Sequence, residues 1–201
     1  MGVYQKGEEK QKLIEMNCNY TEQDIIEMLR NPDERERGFR ILLKTYGDKL
    51  YWHIRRMVVS VEDAEDAMQE TSIKIFSKMD SFKGDSSLFT WMYTIATNEA
   101  LQVLRKRCGL FQSIDSDGLG ERLRETLYAE TECDADDAEV VFQEALLKLP
   151  TQQRLAFNMR YYDELSYEDM SKITGKNVNT LKANYHFAVE KIKNYINNNA
   201  I

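Results

Sequence analysis

The sequence predicts an all-α protein made of two small helical domains joined by an acidic linker, and three observations lead to that fold class. The 201 residues include only 2 prolines and 9 glycines, a composition typical of helical proteins rather than of turn-rich β proteins. Apolar residues recur three and four positions apart along several segments. Helix-capping patterns precede most of those segments, and the chain is long enough for two small cores.

Residues 1–20 are predicted to be an N-terminal tail, because lysines and glutamates are mixed there without the apolar run of a secretory signal. The first helix begins after Thr21, since Thr21 and Asp24 form a capping-box pattern, and Asn31-Pro32 ends it. The second helix spans about Glu36–Val59, where apolar residues follow helical spacing.

Two further helices complete the first predicted domain, residues 21–107. Ser60 is the capping residue of a third helix that runs to about Lys78. Either Ser86 or Ser87 caps a fourth helix, which ends near Arg107. The predicted core face of the third helix consists of Ala64, Ala67, Met68, Ile75 and Phe76.

The acidic linker is predicted at residues 108–137, and the second domain at residues 138–201. From Cys108 to Glu139 the chain has ten acidic and two basic residues, with few large apolar ones. Helices are predicted at Ala138–Leu149 and Gln152–Tyr162 on either side of Pro150.

A helix–turn–helix pattern follows those two helices. Ser166 caps a short helix, Gly175 makes the turn, and Asn177 caps a final helix from Val178 to about Asn197. In DNA-binding proteins of this kind the second helix enters the major groove, and an unrelated helical hairpin is the alternative interpretation. The residues predicted on its exposed side, with groups suited to bases or phosphates, are Asn179, Thr180, Lys182, Asn184 and His186.

The net charge of −7 is concentrated in the linker, so it does not exclude a nucleic-acid partner. The segments Glu36–Arg107 and Val140–Ile201 each have a net charge of +2. Three widely spaced cysteines suit a reducing compartment. No uncharged stretch reaches the roughly 20 residues that a bilayer-spanning helix needs, so we expect a cytoplasmic protein without membrane insertion.

The fourth helix is predicted to present one stripe of aromatic, amide and basic side chains, a combination suited to unstacked single-stranded bases. Packing of Trp91 against the second helix is the alternative. Lys83 and the basic run Arg105–Arg107 add positive charge near the ends of the stripe. The stripe consists of Trp91, Thr94, Asn98, Gln102 and Arg105.

The third helix is predicted to expose an acidic face, which is either ordinary helix solvation or a docking surface for a partner. This face consists of Asp63, Asp66, Gln69 and Glu70.

Enzyme functions find little support in the sequence. Gly84-Asp85-Ser86 matches the start of a serine-hydrolase motif, but no aspartate stands three residues before His53 or His186 to complete a triad. No phosphate-binding loop, dinucleotide fingerprint or pair of histidine ligands occurs. The sequence therefore predicts no catalytic role, no cofactor and no metal.

Two sets of motifs, taken together, resemble the extracytoplasmic-function sigma factors of bacterial RNA polymerase. Asp63–Thr71 (DAEDAMQET) and Phe82–Asn98 (FKGDSSLFTWMYTIATN) are similar to region two of that family. Leu149-Pro150, Leu165–Met170 (LSYEDM) and Asn179–Lys182 (NTLK) are similar to its region four. The resemblance runs over about residues 25–196, in the order of the family and with its linker.

The resemblance implies a sigma factor that directs core RNA polymerase to promoters. In such a factor, region two would bind the polymerase clamp and melt the minus-ten element, and region four would read the minus-thirty-five element. The expected partners are core RNA polymerase and promoter DNA, and an anti-sigma protein is a further partner that the resemblance allows. The residues expected to bind polymerase are Asp63, Asp66, Gln69 and Glu70. With the stripe, the resemblance assigns the minus-ten element to Phe82, Lys83, Trp91, Thr94, Asn98 and Arg105. With the helix–turn–helix pattern, it assigns the minus-thirty-five element to Arg160, Asn179, Thr180, Lys182, Asn184 and His186.

The chain departs from the family where members often have arginine or lysine, because Asn184, Phe187 and Val189 stand at those positions. Upstream binding should therefore use fewer phosphate contacts and depend less on salt. Two other function classes remain open from the sequence. One is a regulator that binds DNA through Ser166–Asn197 and senses a signal with its N-terminal helices, and the other is a helical adaptor that uses only the acidic face.

Overall fold

The structure is a computed structural model that describes residues 20–108 and 137–199, and every regular element in these ranges is helical. The all-α class is therefore confirmed. The predicted tail, and all but the two ends of the predicted linker, lie outside the described residues. A short 3₁₀ turn, Met79–Ser81, follows the third helix. The helices are α1 Glu22–Arg30, α2 Arg35–Val58, α3 Val61–Lys78, α4 Leu88–Cys108, α5 Asp137–Leu147, α6 Thr151–Tyr161, α7 Tyr167–Thr174 and α8 Val178–Asn199.

The helix starts follow the capping signals of the sequence. At α1 the hydroxyl of Thr21 accepts a hydrogen bond from the backbone N–H of Asp24 at 3.2 Å, and the Asp24 carboxylate accepts one from the backbone N–H of Thr21 at 2.7 Å. The Thr21 hydroxyl also donates a 2.7 Å hydrogen bond to the Asp24 carboxylate, and this bond, with the one from the backbone N–H of Thr21, lowers the pKa of Asp24. Ser60 and Ser166 cap α3 and α7 in the same way, and Ser87, rather than Ser86, caps α4.

The chain divides into two compact units, Met1–Leu43 and Lys44–Ile201, with the division inside α2. In the first unit α1 and the start of α2 approach closely at Gly38. A Cβ added at this glycine would stand 2.7 Å from the Cβ of Met28, so a larger residue here would force the two helices apart.

The second unit contains most of both sequence-predicted domains. Helix α3 packs on α4, while α5, α6 and α7 all pack on α8. One apolar cluster, from α5 with the turn after it, α6 and α8, consists of Ala145, Leu146, Leu149, Phe157, Ala188 and Ile192. The predicted core face of α3 is confirmed at Ala64, Ala67 and Ile75, but Phe76 is 37 % exposed, so its assignment to the core was wrong. Phe76 lies toward the edge of that face, and helical spacing alone does not fix where the edge is.

The two predicted domains also touch each other within this unit, along a contact that we call the seam. Helix α7 packs on α4, and the end of α2 meets α6 and the turn that follows it. The buried guanidinium of Arg154 on α6 donates a 3.2 Å hydrogen bond to the backbone carbonyl of Met57, in the last turn of α2. Burial lowers the pKa of Arg154 to about 10. Asp163, in the turn after α6, accepts hydrogen bonds from His53 and Arg56 of α2.

The turn of the helix–turn–helix depends on Gly175, whose φ of +68° lies in the left-handed region that residues with a Cβ rarely adopt. Gly175→Ala should therefore lower the free energy of unfolding by about 1 kcal/mol, measured by urea denaturation. Gly47→Ala is the matched control. Gly47 lies inside α2, and neither glycine has an atom within 4 Å of an added Cβ, so this change should raise stability by about 0.5–1 kcal/mol. Equal effects at the two positions would contradict the backbone argument.

Candidate partner and nucleic-acid interfaces

The acidic face of α3 is exposed at three of its four predicted residues, Asp66, Gln69 and Glu70. Asp63, at the start of the helix, is instead half-buried and pairs with Arg107 near the end of α4. A second ion pair joins the helices farther along, where Lys74 Nζ lies 2.6 Å from Glu99 Oε2. The face is thus held on a rigid pair of helices, and Asp63 contributes to its position more than to its surface.

An apolar extension of this face was missed by the sequence analysis. Ile73, one turn beyond Gln69 and Glu70, is 53 % exposed, and Phe76 follows it. Both side chains lie within about a quarter turn of Asp66 when the residues are plotted at 100° per residue. The surface of α3 therefore combines exposed acidic side chains with exposed apolar ones. The spacing of Ile73 and Phe76 in the sequence places them near the border between the buried and the exposed side of α3, and this was the signal that could have found them.

The stripe on α4 has two ends, an aromatic end that packs on another aromatic ring and a polar end that is exposed. Trp91 is half-buried, and its ring centroid lies 5.3 Å from that of Phe82, which is only 5 % exposed. Phe82 therefore lies beneath Trp91 as a packing partner, instead of presenting a free ring. The Thr94 hydroxyl donates a 2.9 Å hydrogen bond to the Thr90 carbonyl. The exposed members of this group are Lys83, Asn98, Gln102 and Arg105.

The structure gathers two of the predicted upstream residues around a residue that the sequence analysis did not select, Tyr167 at the start of α7. The guanidinium of Arg160 lies 5.4 Å from the centre of the Tyr167 ring, and Lys182 Nζ lies 5.6 Å from it. Arg160 also donates a 2.9 Å hydrogen bond to the carbonyl of Leu165. These cation–π contacts orient both cations at one edge of the helix–turn–helix. The sequence alone does not show which residues contact the Tyr167 ring.

The remaining upstream candidates lie along the first half of α8. Asn179 and Thr180 are exposed in its first turn, after a cap in which the Asn177 side chain accepts a 2.8 Å hydrogen bond from the Asn179 N–H. Asn184 is half-buried, which leaves it less accessible than its neighbours. His186 is exposed, with Nε2 3.4 Å from Glu190 Oε1. Leu181, between Thr180 and Lys182, is buried.

None of the helices within residues 20–108 and 137–199 combines the length and the hydropathy that a membrane-spanning helix requires. The same described ranges hold no group of three or more histidine, cysteine, aspartate or glutamate side chains arranged to bind a metal.

Two family models match the chain in the order expected from the motifs. Sigma-70 region 2 matches residues 42–108, which contain the acidic face and the stripe. Sigma-70 region 4 matches residues 139–192, which contain the helix–turn–helix. Both candidate DNA-facing surfaces therefore fall within regions that sigma factors share.

Individual proteins are similar over almost the whole chain. An extracytoplasmic-function RNA polymerase sigma-E factor of Escherichia coli K12 is 30 % identical over 188 residues, covering 90 % of this chain and 97 % of the relative. The sigma-E factor of Haemophilus influenzae is 29 % identical over 183 residues, covering 88 % and 95 %. Both relatives are named as sigma factors of RNA polymerase.

Solved structures share the fold. The sigma factor RpoE of Bartonella quintana, in complex with the anti-sigma factor NepR, has a TM-score of 0.60 at 24 % identity and covers 79 % of this chain and 96 % of its own. CnrH, in complex with the cytosolic domain of CnrY, has a TM-score of 0.62 at 17 % identity, covering 87 % and 96 %. The two region matches, the relatives and the helical geometry agree, and the chain belongs to the extracytoplasmic-function sigma factors of RNA polymerase.

Proposed function

We propose that this sigma factor binds core RNA polymerase through α3, opens the minus-ten element with α4, and reads the minus-thirty-five element with α8. The observation that carries the proposal is the placement of Trp91 and Asn98 on one side of α4. The indole is supported by Phe82 and the amide is exposed, within the region 2 match. A stacking ring and a free amide on one helix suit a base that has left its duplex.

The polymerase contact is assigned to the exposed part of the acidic face together with Ile73. Positive charge on the polymerase would complement Asp66 and Glu70, and an apolar contact would bury Ile73. The ion pairs between α3 and α4 keep this surface in a fixed relation to the stripe. Binding to the polymerase would therefore also position the bases that α4 contacts.

The downstream assignment combines stacking with hydrogen bonding. Trp91 offers a face on which one base could stack, at about 1–3 kcal/mol per base. Asn98 offers one donor group and one acceptor group to a base edge. Lys83 and Arg105 are exposed near opposite ends of the stripe and would contact phosphates of the separated strand.

The upstream assignment places Asn179, Thr180 and Lys182 at the major groove, in the first turns of the recognition helix. Arg160 would bind phosphate beside Lys182, because both cations border the Tyr167 ring. His186 lies farther along α8 and would meet the backbone of the DNA. Neither a regulator with an N-terminal sensor nor an adaptor without DNA contacts accounts for matches to both sigma regions.

The polymerase assignment predicts that Asp66→Lys combined with Glu70→Lys abolishes holoenzyme formation, because two repulsive charges replace two attractive ones. Affinity for core polymerase is measured by fluorescence anisotropy, and helicity by circular dichroism. Asp48→Lys combined with Glu168→Lys makes the same charge change at exposed positions on other helices and should bind normally. Unchanged affinity of the α3 variant would refute the assignment.

For the downstream element, we expect Asn98→Ala to change which base is preferred and Trp91→Ala to slow opening at every promoter. Opening is followed by permanganate reactivity on duplex and pre-melted templates. Trp52→Ala removes the other tryptophan, which is exposed on α2, and should open promoters at the wild-type rate. If Trp91→Ala opens both templates normally, or if both stripe variants melt several degrees early, the stripe serves packing only.

For the upstream element, Lys182→Ala should weaken specific binding by about 1–3 kcal/mol if the lysine contacts a base. A phosphate contact would cost less and would reduce the salt dependence of binding. Holoenzyme binding to promoter fragments is measured over a range of salt concentrations. Lys193→Ala changes another exposed lysine near the far end of α8 and should have no effect. Identical behaviour of the two variants would remove Lys182 from the interface.

A further inference from the structure

A small cavity lies where the end of α2 meets α5 and α6, and its volume is about 210 Å³. Three arginines line the cavity, Arg55 and Arg56 from α2 and Arg154 from α6. Within the described part of the chain, no aspartate or glutamate is among the lining side chains. The wall of the cavity is therefore positively charged, and none of its residues belongs to the surfaces assigned to polymerase or to DNA.

Arg154 is buried in this wall as an uncompensated cation. It is 2 % exposed, and it forms no ion pair with any residue that the structure describes. Burial lowers its pKa to about 10, whereas a neighbouring carboxylate would raise the pKa. An isolated buried charge is costly, so buried guanidinium groups are normally paired with an anion. The described residues do not supply that anion.

Helix capping accounts for only part of the hydrogen-bonding capacity of Arg154. One terminal N–H donates to the backbone carbonyl of Met57 at 3.2 Å and so caps the last turn of α2. A guanidinium has five N–H donors, and Nε of Arg154 is buried without a hydrogen-bond partner among the described residues. The end of a helix also offers only about half a unit of negative charge. The cap therefore does not satisfy this side chain.

A second buried polar group lines the same cavity one turn farther along α6. Asn158 is 1 % exposed, and its side-chain amide donates a 3.4 Å hydrogen bond to the Arg56 carbonyl. Its Oδ1 atom is buried, and the described residues give it no hydrogen-bond partner. Arg154 and Asn158 are four positions apart and so lie on one side of α6. An unused donor and an unused acceptor suit a ligand that combines an anionic group with hydroxyl groups.

The arginines favour a phosphate group as the anion. Arg56 is ion-paired with Asp163, so much of its charge is used inside the protein. Arg55 is half-buried in the same last turn of α2 and adds to the positive potential of the cavity. A planar guanidinium donates two parallel hydrogen bonds to the oxygens of a phosphate, which a lysine ammonium does not.

An exposed aromatic ring beside the arginines narrows the class of phosphate compound. Trp52 is 55 % exposed and lines the cavity one turn before Arg55 and Arg56. Exposed aromatic rings serve as platforms on which bases stack. A cavity of about 210 Å³ is smaller than the roughly 300–1,000 Å³ of sites that enclose a whole small molecule. The phosphates of a nucleotide can therefore enter it while the base remains outside, on the indole.

We propose that this cavity is a binding site for a nucleoside diphosphate, whose phosphates pair with Arg154 and Arg55 and whose base stacks on Trp52. A ribose hydroxyl donates to Oδ1 of Asn158, so both unpartnered buried groups gain a partner. Stacking does not distinguish one purine from another, so the site accepts either adenine or guanine.

Titration calorimetry of the full chain with ADP tests the site. Arg154→Gln removes the uncompensated charge, and Arg40→Gln removes an exposed arginine about four turns from Arg55 on the same helix. ADP should bind the wild-type chain and Arg40→Gln with equal affinity, and the affinity should fall at least about tenfold for Arg154→Gln. Absence of ADP binding to the wild-type chain, or equal affinity of the two variants, would overturn the proposal.

The base contact is tested by comparing ADP with inorganic pyrophosphate, which has no base. Trp52→Ala should weaken ADP binding at least about fivefold and leave pyrophosphate binding unchanged. If the substitution affects both probes equally, or affects neither, the assignment to a nucleotide is wrong.

A thermal measurement keeps the test decisive if Arg154→Gln is less stable than the wild-type chain. A ligand that binds the folded state raises the melting temperature, and this rise is measured within each variant. Saturating ADP should raise the melting temperatures of the wild-type chain and of Arg40→Gln but not that of Arg154→Gln. An equal rise in all three would reject Arg154 as the anion-binding residue. Neither DNA nor polymerase is present, so these results are independent of the proposed promoter contacts.

Discussion

The ion-paired carboxylate of Asp163 is the interaction on which the arrangement of the two sigma domains depends. It accepts hydrogen bonds from His53 and Arg56 of α2 and lies in the turn after α6, in the helix–turn–helix domain. Without it, Nδ1 of the fully buried His53 ring would lose its hydrogen-bond partner in the seam. An apolar cluster from α5, α6 and α8 forms a core of the second domain, and hydrogen bonds of Arg154 and Asp163 add polar contacts between the two domains.

In both domains, contacts between side chains hold the proposed contact surfaces in place. Ion pairs from Asp63 and Lys74 fix α3 against α4, so a polymerase contact on one helix would position the base-contacting stripe on the other. Tyr167 plays a comparable part in the second domain, where it orients Arg160 and Lys182. In each domain a buried or half-buried side chain sets the direction of the exposed group proposed to meet nucleic acid.

Local chemistry explains why so much of the fold was predictable from the sequence. Caps at Thr21, Ser60 and Ser166 and the left-handed Gly175 are dictated by residues within three or four positions, so helix starts and the turn were found correctly. Phe76 was misplaced because helical spacing does not define the edge of a core. The burial of Phe82 and the contacts of Asp163 depend on residues distant in sequence, and no local pattern reports them.

The central claim, that α4 contacts a base of the melted minus-ten element, is tested most directly by crosslinking. A photoreactive phenylalanine analogue in place of Trp91, which is half-buried beside Phe82, should crosslink to bases of the minus-ten element in the polymerase–promoter complex. The same analogue in place of Trp52, which is exposed on α2, should not crosslink to them. Equal crosslinking from the two positions, or none from the Trp91 position, would contradict the account.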